Sequence, residues 1–477
     1  MTDTRFAGLP PRTEVANLTI LSLAFALCFG VSYCGASALS AYVPWRISVE
    51  LPIDSQFPFW PAAAAIYLTI TLLLQFAPFV LRDFKSFLPL VAALILATII
   101  ATLCFMLLPI DGPPIECCES GVAGALFHTA DWLNLERNYL PSLHVTFAFI
   151  LACALAPRAS RPGGIALYLW ACAVAASTLV TRQHYLLDLV AGIVLAFFCW
   201  RVARNWARRP KVLAAVDVEL LCLRNFGRFM RRHRRYFTIS VAVLAAGIPH
   251  WRRQRLARTG FAFLQAVDDV LDGDRASERE PLEVADDLAA ALDSGEFAAD
   301  DLARLGAAFR ADLLARGDRD ALDTAIALVR CMQRDRRRVL AREIGSRAEL
   351  VEIHRATFRG SLDLLLLAAD SPLRAADVPD LVDALGWCST VRDLDEDLAH
   401  GLINIPADVV EAANAEQPDV ALTALPATTA VRDWLAAERE RARALLARVD
   451  TRLDELEGQR GTKLLRRFAH SMRRYVN

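Results

Sequence analysis

The chain has 477 residues, a formal net charge of −1, 55% hydrophobic and 22% charged residues, and a mean hydropathy of +0.31. That length accommodates two or three domains, and so apolar a chain with almost no net charge is not disordered. The 53 basic residues are balanced by 54 acidic ones, so no nucleic-acid partner is predicted. The eleven cysteines contain no CxxC pair and no metal-ligand spacing with histidine, which excludes a typical disulfide framework or zinc site.

The first 200 residues consist mostly of apolar runs. A helix that crosses a bilayer needs about 20 predominantly apolar residues. The first run is too long, and lacks a clear small-residue cleavage site, to be a removed signal peptide. The runs predict six transmembrane helices, at Val15–Ala36, Phe59–Val80, Phe87–Leu108, Leu143–Ala156, Gly164–Val180 and Leu186–Trp200.

Basic residues in the connections predict the orientation, because Lys and Arg are enriched in cytoplasmic loops. With the N-terminus inside, the cytoplasmic segments carry eleven basic residues and the external loops carry three, which are Arg46, Arg137 and Arg182. The sequence therefore predicts an integral protein of the cell membrane with both termini in the cytoplasm.

The pattern changes after Pro210. From there on no apolar run is long enough to span a bilayer, and long amphipathic helical periods appear instead, for example at Leu381–Leu398 and Thr429–Leu456. The sequence thus predicts an all-α protein with a six-helix membrane domain at residues 1–210 and an all-helical cytosolic domain at 211–477. The second domain is large enough for a core of its own.

Three ionisable residues of the membrane half fall near its predicted outer face. His144 stands where the fourth span begins, and His184 and Asp188 stand where the sixth begins. Residues four apart share a helical face, so Asp188 can orient the His184 ring and leave one nitrogen for attack on an electrophile. His144 can then act as a general acid, and Arg182 can bind an anion such as phosphate. The alternative is that these are polar helix-end residues at the membrane interface.

The segments PSLH and QHYLLDLVAG resemble the second and third motifs of the phosphatidic acid phosphatase type 2 superfamily. The form with PSLH, together with the stretch FPFWPAAAAIY, resembles the inositol-phosphorylceramide-synthase-like branch over residues 50–205. The resemblance implies that His184 is a nucleophile forming a phosphohistidine, Asp188 its orienting partner and His144 the general acid. It implies no metal for this domain.

The resemblance also implies phosphate ligands. Ser142 and Arg182 would contact the phosphoryl oxygens. The basic first motif of the superfamily is absent from LLPIDGPPIE, and Arg82 and Lys85 fall on the predicted cytoplasmic side. Phosphate binding would therefore depend on Arg182, with Arg137 as a further candidate.

The cytosolic half contains two aspartate-rich segments. FLQAVDDVLDGD places Asp268, Asp269 and Asp272 within about one helical turn, and VRDLDEDLAHGLINIP places Asp393 and Asp397 four residues apart. Crowded carboxylates repel unless a cation lies between them, and oxygen ligands in this number suit Mg²⁺. Two such helices facing each other would bind a diphosphate through the metal. The alternative is a pair of solvated helix faces.

This pair resembles the motifs of the squalene and phytoene synthase family over about residues 230–410. The second motif is matched by Arg392, Asp393, Glu396, Asp397, Gly401 and Pro406. Departures from the family pattern occur at Arg235, Ser389, Leu402 and Asn404. The resemblance implies a class I isoprenoid-synthase-like fold, Mg²⁺ held by the five aspartates, and phosphate binding by Arg392. No dinucleotide-binding glycine motif is present.

Together these patterns predict a bifunctional membrane enzyme of isoprenoid or lipid metabolism. The cytosolic domain would condense or ionise prenyl diphosphates with Mg²⁺, and the membrane domain would hydrolyse or transfer the phosphate of a lipid phosphate. Two alternatives stay open for the cytosolic half: a terpene cyclase or prenyl diphosphate hydrolase, or a catalytically inactive module that binds prenyl diphosphates. The predicted partners are these two substrates and membrane lipid; no protein partner or prenyl chain length is predicted.

Overall fold

The structure is a computed structural model that describes residues 6–40, 42–113, 121–133, 138–234 and 250–476. The chain divides into two compact units, residues 1–220 and 221–477. Across the described ranges the regular structure is helical, apart from an isolated β-bridge between Ile47 and Ile110. The all-α prediction is therefore confirmed for these residues. Arg137 and Arg235 lie outside them.

The first unit has a helix at each of the six predicted spans. Its α-helices in the described ranges are α1 (Arg12–Ser40), α2 (Ala64–Val80), α3 (Phe84–Leu107), α4 (Val122–Leu133), α5 (Leu143–Leu155), α6 (Arg161–Val180), α7 (Leu186–Ala207) and α8 (Pro210–Arg232), the last of which contains the division between the units. Among the described residues, five helices are long and apolar enough to cross a membrane: Arg12–Ser40, Pro61–Val80, Phe84–Leu107, Arg161–Val180 and Leu186–Ala207.

Helix α5 differs from the fourth predicted span. Its 13 residues rise about 20 Å, less than the roughly 30 Å of a hydrocarbon core. Ser142 caps its N-terminal end, and a 3₁₀ turn at Ala156–Arg158 follows it. Helices α2, α3, α6 and α7 pack around it, and all of its residues except His144 are buried. A helix enclosed by other helices can be apolar without spanning the bilayer, so six complete spans are not confirmed.

The second unit consists of amphipathic helices that pack around apolar cores, as the sequence predicts. Its α-helices in the described ranges, after the end of α8, are α9 (Arg255–Leu271), α10 (Pro281–Ser294), α11 (Asp301–Leu314), α12 (Arg319–Ala341), α13 (Arg347–Ala368), α14 (Pro379–His400), α15 (Ala407–Glu416), α16 (Thr429–Glu455) and α17 (Thr462–Val476). One core lies between α13, α14, α16 and α17. This architecture is all-helical, but the isoprenoid-synthase-like fold is not confirmed by it.

Candidate active sites

Two histidines meet where α5 and α7 begin. His144 is the second residue of α5, and His184 lies in the turn between α6 and α7. Their ring centroids are 6.4 Å apart, which is close enough for both rings to contact one phosphoryl group. The two histidines are 40 positions apart in the chain, so tertiary packing brings them together.

Asp188 holds the ring of His184. Nδ1 of His184 lies 3.4 Å from Oδ2 of Asp188, and the same oxygen accepts a hydrogen bond from the backbone N–H of Tyr185 at 3.0 Å. The two side chains are 1% and 0% exposed. Nε2 of His184 is buried and has no hydrogen-bond partner in the described structure. Because Nδ1 faces the carboxylate, Nε2 is the nitrogen left for chemistry.

Tyr67 on α2 contacts the second histidine. Its hydroxyl lies 2.9 Å from Nδ1 of His144, and the two ring centroids are 4.2 Å apart. The sequence reading did not select Tyr67, because a tyrosine within an apolar span is typical of a core residue. The sequence feature that could have indicated Tyr67 as a site residue is its place in FPFWPAAAAIY, a stretch that resembles the phosphatase branch.

The start of α5 is fixed against α7 at very short range. The backbone N–H of Ser142 donates to the carbonyl oxygen of Asp188 at 3.1 Å, and the Thr146 hydroxyl donates to the carbonyl oxygen of Gly192 at 3.1 Å. A Cβ atom at Gly192 would lie 2.7 Å from the carbonyl oxygen of Ser142. Only glycine therefore permits this approach of the two helices, which sets the spacing between His144 and the α7 residues.

The predicted phosphate ligands lie beside the histidines in the chain. The Ser142 hydroxyl is buried and accepts a 3.5 Å hydrogen bond from the backbone N–H of Val145, so it caps α5. Arg182 has a left-handed φ of 51°, and its guanidinium carbon lies 5.6 Å from the centroid of the Phe59 ring. Arg137 is outside the described residues. Phosphate binding by these residues stays a prediction.

The two aspartate-rich segments of the second unit come within electrostatic reach of each other. Asp268 and Asp269 lie in the last turn of α9 with Asp272 just after it, and Asp393 and Asp397 lie on α14. Burial, followed by the charges of Asp272 and Asp269, raises the pKa of Asp268 to about 8. Burial also raises the pKa of Asp397 to about 7, and nearby carboxylates that include Asp272 add to this rise. The carboxyl groups of the two segments therefore disfavour one another's charge.

A third helix contributes to this acidic cluster. Arg338 on α12 is 3% exposed and donates hydrogen bonds of 3.1 Å to Oδ1 of Asp335 and to Oδ1 of Asn404. The Asn404 amide in turn donates to Oδ2 of Asp397 at 3.0 Å. Sequence reasoning missed Asp335 and Arg338, because QRDRRR is typical of a charged surface. Asp335 and Arg338 are three residues apart and so share one face of a helix. That spacing was the only local feature that could have indicated them as site residues.

Two arginines pair with aspartates of the predicted metal site. Arg232 lies 3.3 Å from Oδ1 of Asp269 and also pairs with Asp274. Arg392, predicted to bind phosphate, donates from Nε to its neighbour Asp393 at 2.9 Å. Phosphate binding by Arg392 would therefore compete with, or rearrange, an ion pair.

A magnesium site depends on both the chemistry and the spacing of its protein ligands. Carboxylate oxygens are the preferred protein ligands of Mg²⁺, and Asp268, Asp272 and Asp397 carry such oxygens. Within the described part of the chain, no three His, Cys, Asp or Glu side chains form a group that could hold a metal ion. The donor chemistry thus suits Mg²⁺, whereas the spacing provides no complete set of protein ligands.

An apolar cavity of about 290 Å³ begins beside Asp268. It runs along α9 from Asp268 to Leu256, which is about 18 Å at 1.5 Å per residue. Side chains of α11, α12 and α13 complete its wall, with Phe309 and Leu328 among them. The cavity therefore joins a carboxyl-bearing end to a long apolar interior.

Comparisons with known proteins bear on the first unit. Residues 39–202 match the family model of the PAP2 superfamily. Neither curated proteins nor solved structures gave a match to the chain. The match contains His144, His184 and Asp188 and ends before the second unit, so it confirms the first resemblance at the level of the superfamily and leaves the second one untested. Residues 39–202 form a PAP2 superfamily domain, and that family together with the long apolar helices indicates a phosphatase-type enzyme of membranes.

Proposed function

We propose that the PAP2 domain hydrolyses or transfers the phosphate of a lipid phosphate through a phosphohistidine on His184. The observation that carries this proposal is the state of the His184 ring, whose Nε2 is buried without a hydrogen-bond partner while Nδ1 lies 3.4 Å from Asp188. A ring oriented in this way is available as a nucleophile. His144, with its ring centroid 6.4 Å away, is close enough to exchange a proton with the reacting oxygen.

The reaction proceeds in two steps. Nε2 of His184 attacks phosphorus, the bond from phosphorus to the lipid oxygen breaks, and that oxygen takes a proton from His144. Asp188 stabilises the positive charge that His184 acquires. Water then attacks phosphorus and gives a proton to His144, the P–N bond breaks, and inorganic phosphate leaves. A lipid hydroxyl in the place of water gives transfer, and the scheme requires no metal.

Anion binding rests on Arg182, Ser142 and the two helix ends that meet here. The N-termini of α5 and α7 each carry a partial positive charge of about half an elementary charge, and backbone N–H groups at such ends bind phosphate. This contribution would offset the missing basic motif of the superfamily. Basic residues are concentrated in the loops on the side of the membrane opposite to His144 and His184. This distribution supports a site at the outer face and both termini in the cytoplasm.

For the second unit we propose Mg²⁺-dependent binding and ionisation of a prenyl diphosphate. The support is the apolar cavity that begins beside Asp268, together with the electrostatic effect of Asp272, just after α9, on Asp397 of α14. When bound with substrate, Mg²⁺ would neutralise the diphosphate, and we propose Asp268, Asp272 and Asp397 as its protein ligands. Ion pairs at Asp269 and Asp393 make these two weaker candidates. Mg²⁺ commonly binds through one or two carboxylates plus substrate phosphates, so a complete protein cage is not required.

The size of the cavity favours one form of this activity. About 290 Å³ is near the lower end of the roughly 300–1,000 Å³ typical of ligand pockets. It suits a single prenyl chain more readily than two. Hydrolysis or cyclisation of one prenyl diphosphate is therefore the second candidate function beside condensation of two. An inactive binding module remains the third.

One set of assays on the purified full-length protein tests both proposals. The substrates are phosphatidic acid, farnesyl diphosphate and geranylgeranyl diphosphate, each with Mg²⁺ or with a chelator, and lipid product and inorganic phosphate are scored separately. Asp268→Asn should stop Mg²⁺-dependent consumption of prenyl diphosphates and leave phosphatidic acid hydrolysis intact. Asp287→Asn, at a carboxylate that is 65% exposed on α10, is the matched control.

The outcomes separate the candidates. Products with both chains joined indicate condensation, and an alcohol or cyclic product of one chain indicates hydrolysis or cyclisation. Mg²⁺-dependent binding without turnover indicates the inactive module. If the protein neither binds nor turns over any prenyl diphosphate, the proposal for the second unit is contradicted.

A further inference from the structure

Tyr67 makes a buried polar contact in the candidate phosphatase site. It is 1% exposed and packs in a small cluster with Ala64, Phe127 and Ala130 from α2 and α4. Its hydroxyl is 2.9 Å from Nδ1 of His144. A buried phenol is stable in such a place only if its hydroxyl has a partner, and here the partner is the proposed acid of the reaction.

We propose that Tyr67 is a positioning residue that fixes the His144 ring so that Nε2 exchanges protons with the reacting oxygens. This inference rests on the proposed phosphatase function. When His144 is protonated, Nδ1–H donates to the phenol oxygen and Nε2–H faces the substrate. After Nε2 gives its proton to the lipid oxygen, Nδ1 keeps its own proton and its bond to Tyr67, and the Nε2 lone pair is ready to take a proton from water.

The two histidines thus have different partners, and the difference divides their roles. Asp188 carries a full negative charge, which stabilises the cationic ring that His184 becomes when phosphorylated. The phenol of Tyr67 is neutral. It therefore orients His144 but adds no negative charge that would keep a proton on the ring. Environments that separate two titratable groups in this way are typical of acid and nucleophile pairs.

The test varies the leaving group, because a poor leaving group needs a proton and a good one does not. In single-turnover experiments, alcohol release from phosphatidic acid is compared with phenolate release from p-nitrophenyl phosphate. Tyr67→Phe keeps the ring and removes only the hydroxyl. It should slow alcohol release at least about 10-fold more than phenolate release, a share of the roughly 10²–10⁴ that general acid catalysis supplies. His144→Ala should give the same pattern with a larger difference.

Tyr168→Phe is the matched control, because the Tyr168 hydroxyl bonds to Cys153 at 3.6 Å, nine positions beyond His144 on α5, and its loss should affect neither rate. An equal slowing of both substrates by Tyr67→Phe would mean a purely structural role and would overturn the inference, as would no slowing of either. His184→Ala separates a failure of the role of Tyr67 from a failure of the phosphohistidine mechanism. If this variant keeps both activities, the phosphohistidine mechanism is wrong.

Discussion

Replacing Gly192 by alanine should damage the phosphatase site without touching a reacting group. The new Cβ would lie 2.7 Å from the carbonyl oxygen of Ser142, and ordinary contacts begin at 3.4 Å, so α5 and α7 must separate by about 0.7 Å. Such a shift moves His144 away from the residues that α7 positions. A misplacement near 1 Å can cost roughly 10²-fold in rate, and we therefore expect phosphate release to fall about 10- to 100-fold.

Stability offers a second readout of the same substitution. Overpacking of a tight contact costs about 1–3 kcal/mol, and the better helix propensity of alanine returns at most about 1 kcal/mol. The melting temperature of the purified protein should therefore stay the same or fall, while activity falls steeply. Phosphate release from phosphatidic acid and a thermal melt of the same sample measure the two effects.

Gly35→Ala on α1 is the matched control, since a Cβ there would meet nothing within 4 Å. It should keep full activity and a melting temperature at least equal to that of the natural sequence. If Gly192→Ala retains full activity, the close approach of α5 to α7 does not set the geometry of the site. A similar loss in Gly35→Ala would attribute the effect to glycine replacement in general.

Three further predictions concern the two chemistries and the membrane. His184→Ala should abolish phosphate release from lipid phosphates, whereas a chelator should not, because the nucleophile is an imidazole; activity that is lost with chelator and survives in the variant would refute the assignment. The pKa of Asp268 is raised to about 8 by burial and by its acidic neighbours, so the folded state binds more protons than the unfolded state and stability should fall as pH rises from about 5 to 8. Hydrogen exchange of α9 in Mg²⁺-free buffer should accelerate over that range, and much less so in Asp268→Asn; an unchanged pH dependence in the variant would exclude this carboxyl as the cause. With competing thiols removed, Glu136→Cys should react with a membrane-impermeant reagent in intact cells and Ser277→Cys should not; the reverse pattern would invert the predicted topology.

Features that depend on local spacing were predictable from the amino-acid sequence. Runs of apolar residues placed a helix at every predicted span, because burial in lipid or protein requires apolar side chains over the whole length. The four-residue interval between His184 and Asp188 predicted that the two side chains would meet, and the structure brings them to 3.4 Å, although His184 lies in the turn before α7 and not on the helix. The helical periods after Pro210 likewise predicted an all-α second half.

Contacts between distant segments were not predictable from local spacing, because they depend on how the whole chain packs. Tyr67 and His144 are 77 residues apart in the chain, yet they share a hydrogen bond, and nothing local distinguishes this tyrosine from a core residue. Asp335 joins the acidic cluster from a helix whose sequence is typical of a charged surface. The length of α5 was also decided by packing, because neighbouring helices rather than lipid cover its apolar faces. Periodicity fixes the face of a helix on which a residue lies, but the partner of that face is chosen by the packing of the whole chain.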